Sequence, residues 1–181
     1  MLMKKKIVFL LIILLCLSAS IFAQKQSAAK FVESFYEFHR ARSGVFSAAE
    51  VDVRKRWFTA ELNLLFQNEL QREAEFLRQN PTDKPYFGDG FPFVPLEECT
   101  SGGKGIKSVL KIGKTSANGN RTLVEVKFYQ PKACEGSFIH AYKIELAKNE
   151  NGWLINDLIY PDDKTMADQG RLTADLKREK Y

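Results

Sequence analysis

The chain has 181 residues, 45% of them hydrophobic and 12% aromatic, with a formal net charge of +5. This composition fits one ordinary globular domain and excludes an intrinsically disordered chain and a scaffold held by disulfides alone. The sequence contains no internal repeat, which also excludes a solenoid.

Residues 1–23 have the pattern of a secretory signal peptide. Lysines at 4–6 precede an apolar run over 7–17, and Ala23 is the small residue behind which we expect cleavage. The run of 17 − 7 + 1 = 11 residues is shorter than the roughly 20 that a membrane-spanning helix needs. We expect a bacterial protein that is periplasmic or secreted, and that contacts a membrane only if the signal stays uncleaved.

Cleavage of the signal also changes the charge of the protein. The domain over 24–181 has a net charge of (27 − 3) − 22 = +2. Recognition of nucleic acid depends on dense phosphate contacts from a basic surface, and a nearly neutral domain does not supply them. We therefore expect no nucleic-acid partner.

Apolar residues recur at three- and four-residue spacing in the first half of the domain, which predicts three helices. Ser27, Ser47 and Thr59 stand where each helix needs an N-cap, and Pro81 ends the third helix. The predicted helices run over 28–42, 48–57 and 60–79. The apolar stripe predicted for the third helix consists of Leu62, Leu65, Phe66, Leu70, Ala74 and Leu77.

Residues 81–104 are rich in Pro, Gly and aromatic residues and have neither helical nor strand periodicity. They predict a long ordered loop. Phe91 and Phe93 of this loop either pack as a lid over the core or form a binding surface, and the sequence leaves both open.

The second half predicts four strands, which form an antiparallel meander because Asn118-Gly119 and Asn151-Gly152 favour tight turns. The predicted strands run over 106–112, 121–129, 138–147 and 153–160. A weakly amphipathic helix over 164–180 follows, and we expect it to dock loosely. The predicted fold class is α+β, with N-terminal helices on a curved four-stranded antiparallel sheet and a short C-terminal helix. The single domain divides into a helical part over 27–80, a loop over 81–104, a sheet over 105–160 and a tail over 161–181.

Cys99 and Cys134 remain after signal cleavage, in a compartment where thiols oxidise. Cys99 precedes the first predicted strand and Cys134 lies between the second and third, so the topology places both at one end of the sheet. We expect a disulfide, with a redox-active or metal-binding pair as the alternative. The sequence has no Cys-x-x-Cys and no His-x-x-x-His, so we expect no metal and no cofactor.

A cluster of polar residues on the apolar sheet face is the candidate site. A two-residue Asn151-Gly152 turn would pair Glu150 with Trp153, which places His140, Tyr142 and Asp157 on one face. Polar groups directed into an apolar interior each need a partner. The face predicted from this pairing comprises Phe138, His140, Tyr142, Ile144, Leu146, Trp153, Ile155, Asp157 and Ile159.

The element order resembles the secreted bacterial members of the nuclear-transport-factor-two-like superfamily, which is cystatin-like, and among them the group catalogued as domain of unknown function 3828. The residues that carry the resemblance are the helix opening over 31–36, the loop over 88–93 and the final strand over 152–160. The resemblance implies a cone-shaped α+β domain with a cavity between sheet and helices, often dimeric through the outer sheet face. It implies no catalytic residues.

The favoured function is a non-catalytic domain that binds a small apolar or amphipathic molecule, or an exported protein partner, through the cavity or the loop. The candidate binding residues are Tyr36, His39, Phe91, Phe93, Tyr142 and Trp153. The alternative is an isomerase, dehydratase or hydrolase in which His140 or Asp157 moves a proton and Tyr142 stabilises an oxyanion. A purely structural role in assembly with another exported protein is the third interpretation.

Overall fold

A computed structural model describes residues 26–42, 44–88, 90–93, 99–101, 104–134, 136–160 and 170–178, with only the backbone of 99–101, 104–106 and 138. The predicted signal peptide lies outside the described residues, as does the start of the predicted C-terminal helix. None of the helices among the described residues has the length and apolar character needed to cross a membrane.

The structure is an α+β fold, as predicted, with helices before an antiparallel sheet and a short helix after it. The helices are α1 (Ala28–Arg40), α2 (Ala48–Arg54), α3 (Ala60–Gln79) and α4 (Leu172–Leu176), with short 3-10 turns at Lys55–Trp57 and Lys132–Cys134. The strands are β1 (Cys99–Ser101), β2 (Lys104–Ile106), β3 (Val109–Asn118), β4 (Arg121–Tyr129), β5 (Phe138–Asn149) and β6 (Gly152–Ile159).

The predicted N-caps are confirmed for the first three helices. The side-chain oxygens of Ser27, Ser47 and Thr59 each accept a hydrogen bond from the backbone N–H three residues later, at 3.3, 3.4 and 3.3 Å. Each bond satisfies one of the N–H groups that a helix start leaves without an internal partner. Local sequence therefore sets where these helices begin.

The four longer strands form the predicted meander in the order β3-β4-β5-β6, all antiparallel. The start of the first predicted strand is wrong, because Lys104–Ile106 folds back on Cys99–Ser101 as a separate two-stranded hairpin. The large sheet begins at Val109 instead. The 81–104 loop prediction missed this hairpin, whose segments of three residues are too short to show a period.

The β5–β6 turn differs by one residue from the prediction. Its two central residues are Glu150 and Asn151, and Asn149 rather than Glu150 starts the pairing, opposite Gly152. Gly152 adopts a φ of 135°, which favours glycine. The shift still pairs odd residues of one strand with even residues of the other, so it does not change the face of Trp153.

A β-bulge further along β6 does change the face of the residues after it. Leu146 pairs with Ile155, but Glu145 pairs with Asp157, which leaves Asn156 as the extra residue. Leu158, opposite Ile144, therefore points into the core and is 1% exposed. The prediction that Asp157 and Ile159 share a face with Tyr142 is wrong, because no sequence period reveals a single inserted residue.

The core lies between the helices and the inner face of the sheet, which we define as the face that carries Val124, Val126, Phe128, Tyr142, Ile144, Leu146, Ile155 and Leu158. Phe91 and Phe93 of the long loop are 4% and 1% exposed. Their rings lie 5.2 Å from those of Phe66 and Phe35, respectively. Of the two alternatives for these residues, the structure therefore shows the lid over the core.

The prediction for the last two residues of the α3 stripe, Ala74 and Leu77, is wrong. Ala74 is exposed and Leu77 is 36% exposed, whereas Glu69 and Glu73 are buried. Glu69 forms ion pairs with Arg72 and, at 2.6 Å, with Arg178, and Glu73 accepts a 2.7 Å hydrogen bond from the N–H of Phe87. Phe87 and Arg178 come from the loop and the C-terminal segment, so the periodicity of α3 could not indicate these two partners.

The C-terminal segment docks firmly, in contrast to the prediction. Leu172 and Leu176 are at most 1% exposed, and Arg171 forms an isolated antiparallel bridge with Ile159. The guanidinium of Arg178 lies 3.8 Å from the ring centre of Tyr86. Buried leucines and paired arginines together fix this short helix against the rest of the domain.

Candidate functional site

The candidate site lies on the inner face of the sheet, in the half that contains the start of β3 and the start of β5. Antiparallel pairing places Leu110, Phe128 and His140 side by side across three strands. The next row consists of Ile112, Val126 and Tyr142 in the same way. Residues directly opposite each other share a face, so these rows form a mixed apolar and polar surface under α1.

Four polar aromatic residues gather there, and we call them the tyrosine cluster: Tyr36, His140, Tyr142 and Tyr160. The ring of Tyr142 lies 6.0 Å from His140 and 6.3 Å from Tyr160. Phe128 joins the cluster to α1, because its ring lies 5.8 Å from Tyr142 and 5.7 Å from Tyr36. The structure thus brings together three of the residues that the sequence predicted, Tyr36, His140 and Tyr142.

The hydroxyl of Tyr36 is the most unusual group of the cluster. Tyr36 is 0% exposed, and its hydroxyl has no hydrogen-bond partner among the residues that the structure describes. Burial raises the pKa of this phenol well above its ordinary value, and Tyr142 raises it further while Arg40 opposes the rise. The hydroxyl therefore stays protonated and presents an unused donor at neutral pH.

Arg40 lies one helical turn after Tyr36 on α1. Its guanidinium donates a hydrogen bond to the carbonyl oxygen of Ser108, which immediately precedes β3 and is 5% exposed. The ammonium of Lys107 donates in turn to the carbonyl oxygen of Arg40 at 2.6 Å. Two cationic side chains therefore tie the end of α1 to the start of β3, beside the tyrosine cluster.

The side chains in and beside the cluster differ in their exposure to solvent. His140, Tyr160 and Arg40 are partly exposed, Tyr142 is 9% exposed and Tyr36 is fully buried. The polar side chains of the cluster therefore range from partly exposed to fully buried. Leu110 and Ile112 are also only partly buried, so this face has both apolar and polar groups that are partly accessible.

His39 belongs to a different network, although its ring lies 6.3 Å from Tyr36. Its Nδ1 accepts a 2.9 Å hydrogen bond from Nε of Arg54, a residue that is 0% exposed. Arg54 also forms an ion pair with Glu50 and lies over the ring of Phe91 at 4.6 Å. Burial, and then the charge of Arg54, lowers the pKa of His39 to about 3, so the imidazole is neutral.

Asp157 does not join the cluster. It pairs with Glu145 across the strands, on the opposite face from Tyr142. Its carboxylate forms a 2.6 Å ion pair with Arg171 and accepts hydrogen bonds from Thr173 and from the N–H of Leu158. Through these partners the carboxylate holds the backbone at Leu158 and the C-terminal segment in place. Its role is therefore structural.

The remaining predicted binding residues also have structural contacts. Phe91 and Phe93 fill the core, as described above. Trp153 donates from Nε1 to the carbonyl oxygen of Gln26 at 2.8 Å, and the ammonium of Lys148 lies 5.2 Å from its ring centre. Trp153 therefore ties the β5–β6 hairpin to the residues before α1.

Three residues of the site, Arg40, Tyr160 and Leu110, were not predicted from the sequence. The spacing of four residues between Tyr36 and Arg40 would have placed both on one side of a helix, which is the available signal. Tyr160 follows the bulge at Asn156, and its neighbourhood to Tyr142 depends on that bulge. Leu110 belongs to the site only through its pairing with Phe128, a contact between different strands.

The structure describes only part of the region of the predicted disulfide. β1, which begins at Cys99, lies against the 3-10 turn that contains Cys134. The side chain of Cys99 lies outside the described residues. The backbone thus agrees with the expected placement of both cysteines at one end of the sheet, and the bond itself stays a prediction.

Within the described part of the chain, His, Cys, Asp and Glu side chains do not form a group of three that could hold a metal ion. The chain matches no family model, no curated protein and no solved structure. What the site does therefore has to be inferred from its own side chains.

Proposed function

We propose that this protein is an exported, non-catalytic domain that binds a small amphipathic molecule at the tyrosine cluster. The observation that carries the proposal is the fully buried Tyr36 hydroxyl, which has no partner among the described residues. An unpaired buried hydroxyl destabilises a protein by about 1–3 kcal/mol. An acceptor atom on a bound molecule would remove that penalty.

The apolar neighbours of the cluster support an amphipathic ligand over a wholly polar one. Leu110 and Ile112 are partly exposed on the same face as Tyr142 and His140. Small-molecule sites are typically lined by apolar and aromatic side chains with a few polar groups that fix orientation. The cluster has this composition.

The contacts of the candidate bases favour binding over catalysis. Proton transfer needs a base within hydrogen-bond reach of the reacting atom. Asp157 lies on the other face of the sheet and is held by Arg171 and Thr173. His39, predicted as a binding residue and the other imidazole of the domain, already accepts from Arg54. Among the residues predicted as a base, only His140 lies in the cluster.

Export and relationship belong to the same proposal. The lysines, apolar run and Ala23 support a cleaved signal peptide. The contact between β1 and the turn that contains Cys134 supports a Cys99–Cys134 disulfide. Helices followed by an antiparallel meander support the nuclear-transport-factor-two-like relationship.

The test is a titration of the isotopically labelled exported protein with 1-octanol, followed by amide chemical shifts. We expect saturable shifts concentrated at the start of β3, the start of β5 and the end of α1. Leu110→Ser should weaken binding. Val109→Ser is the matched control, because Val109 is the adjacent residue, 41% exposed and on the other face. Shifts that do not saturate, or equal weakening by both variants, would contradict the proposal.

A further inference from the structure

The polar end of the site indicates which headgroup it takes. On the basis of the proposed function, we infer that the polar headgroup of the ligand is an oxyanion, either a carboxylate or a phosphate. This headgroup lies between the Arg40 guanidinium and the Tyr36 hydroxyl. The two groups come from one face of α1, four residues apart. Carboxylates and phosphates are the partners whose planar or multiple oxygens match a guanidinium.

Arg40 contributes a positive charge near the buried hydroxyl. Burial and the phenol of Tyr142 raise the pKa of Tyr36, while Arg40 lowers it, as a nearby cation does. Glu33, one turn before Tyr36 on α1, forms an ion pair with Lys30 at 2.6 Å. A negative headgroup at the buried end of the tyrosine cluster would therefore meet a cation and a hydroxyl donor.

The position of Arg40 is fixed by the fold. Its bond to the Ser108 carbonyl and the 2.6 Å bond from Lys107 to its own carbonyl hold the end of α1 against β3. A donor that is held in place before binding loses little side-chain entropy when the ligand arrives. Lys107 adds a second positive charge at the exposed end.

An oxyanion headgroup would also give the Tyr36 hydroxyl a function inside an otherwise aromatic core. Tyr36 is surrounded by the rings of Phe35, His39 and Phe128. A phenylalanine would fill almost the same volume without a buried polar atom. Hydrogen bonds to an ionised acceptor are roughly twice as strong as those between neutral groups, so an oxyanion makes the best use of this donor.

The experiment compares four probes with the same chain: octanoate, octyl phosphate, 1-octanol and octylamine, each titrated calorimetrically into the exported protein. We expect octanoate or octyl phosphate to bind about tenfold more tightly than 1-octanol, and octylamine to bind least. The order of the two anions identifies the headgroup as carboxylate or phosphate.

Variants then separate a specific site from general charge. Arg40→Gln should remove the advantage of the anions over 1-octanol, and Tyr36→Phe should reduce the same advantage. Arg42→Gln is the matched control, because Arg42 lies just beyond α1 with its side chain 36% exposed and pairs with Glu50. If Arg40→Gln does not fold, Arg40→Lys keeps the charge but lacks the planar fork, and we expect it to retain only part of the advantage.

The outcomes distinguish this inference from the proposed function. Saturable binding of 1-octanol with no advantage for either anion would overturn the oxyanion and leave the amphipathic site standing. An advantage that Arg42→Gln lowers as much as Arg40→Gln would also overturn it, because surface charge alone would then suffice. Failure of all four probes to bind would overturn both proposals.

Discussion

At the scale of single residues, the buried charged and polar groups of the helical layer are hydrogen-bond and ion-pair partners of one another. Arg54 is 0% exposed, and its guanidinium binds the Glu50 carboxylate, the Glu50 carbonyl oxygen at 2.8 Å and Nδ1 of His39. A buried guanidinium is tolerated only when its donors have partners. His39 can accept only while it is neutral, so its neutral form is part of the fold.

This arrangement predicts a pH dependence of stability that belongs to His39. The pKa of His39 falls from 6.5 to about 3 on folding, so below pH 6.5 the unfolded chain binds a proton that the native state refuses. Stability therefore falls as the pH drops from 6.5 towards 3, approaching about 1.4 kcal/mol for each pH unit. Urea unfolding at a series of pH values measures this slope.

His39→Gln provides the comparison. Its side-chain oxygen can still accept from Arg54 and does not titrate, so the variant should lose most of the slope between pH 4.5 and 6.5. Glu50 also has a lowered pKa, but its ordinary value is 4.5, so its loss of stability lies at lower pH. An unchanged slope in His39→Gln would show that other groups cause the acid sensitivity.

At the scale of elements, the sheet depends on bulges and the C-terminal segment depends on buried carboxylates. Glu145 binds Arg171 at 2.6 Å and Asn156 at 2.8 Å, and Asp157 binds Arg171 and Thr173. The bulge at Asn156 turns Asp157 away from the core and towards these partners. One inserted residue thus converts a candidate catalytic group into an anchor for α4.

The two residues predicted as catalytic bases should therefore respond differently to substitution. Asp157→Asn replaces an acceptor oxygen by a donor and removes the charge opposite Arg171. We expect it to lower the free energy of unfolding by about 2–3 kcal/mol. The effect stays below that of a fully buried pair, because the Arg171 side chain is 41% exposed.

His140→Gln is the control on the same sheet. His140 is partly exposed, and we expect a change of less than about 1 kcal/mol. Equilibrium denaturation of both variants measures the difference. Equal stabilities for Asp157→Asn and the wild type would mean that the carboxylate does not hold the C-terminal segment.

The same elements show which parts of the fold could be predicted from the sequence. Caps at Ser27, Ser47 and Thr59 and the bounds of β4 follow from local residue types, so they were predictable. The bulge at Asn156 and the partner strand of β2 depend on contacts between strands. Local patterns do not contain that information.

The candidate site divides in the same way. Tyr36, His140 and Tyr142 could be found because a polar residue in an apolar stripe is visible in the sequence. The partner of Asp157 is Arg171, fourteen residues away, and Arg40 binds Ser108 across 68 positions. Which polar residue becomes part of a site and which becomes an anchor depends on such distant partners.

At the scale of the whole molecule, polar contacts connect segments that the sheet alone would leave apart. The 81–93 loop is attached to α3 by the bond from the N–H of Phe87 to Glu73, and the C-terminal segment by Arg178, which binds Glu69 and lies over Tyr86. Lys177 adds an exposed ion pair with Glu61 at 2.8 Å.

The β1–β2 hairpin pairs only within itself among the described strands. A covalent bond to the turn at Lys132–Cys134 would therefore stabilise the region that the sheet holds least.

The Cys99–Cys134 bond and the signal cleavage can be tested together on the exported protein. The bond would close a loop of 134 − 99 = 35 residues, for which the chain-entropy model gives about 4 kcal/mol of stabilisation. We expect the intact mass of residues 24–181 less two hydrogens, and a loss of stability approaching that value in the double variant Cys99→Ser, Cys134→Ser. A reducing agent should destabilise the wild type and leave the double variant unchanged. A mass without the two-hydrogen deficit would exclude the bond, and a mass that includes residues 1–23 would exclude cleavage, so the single spectrum separates the two predictions.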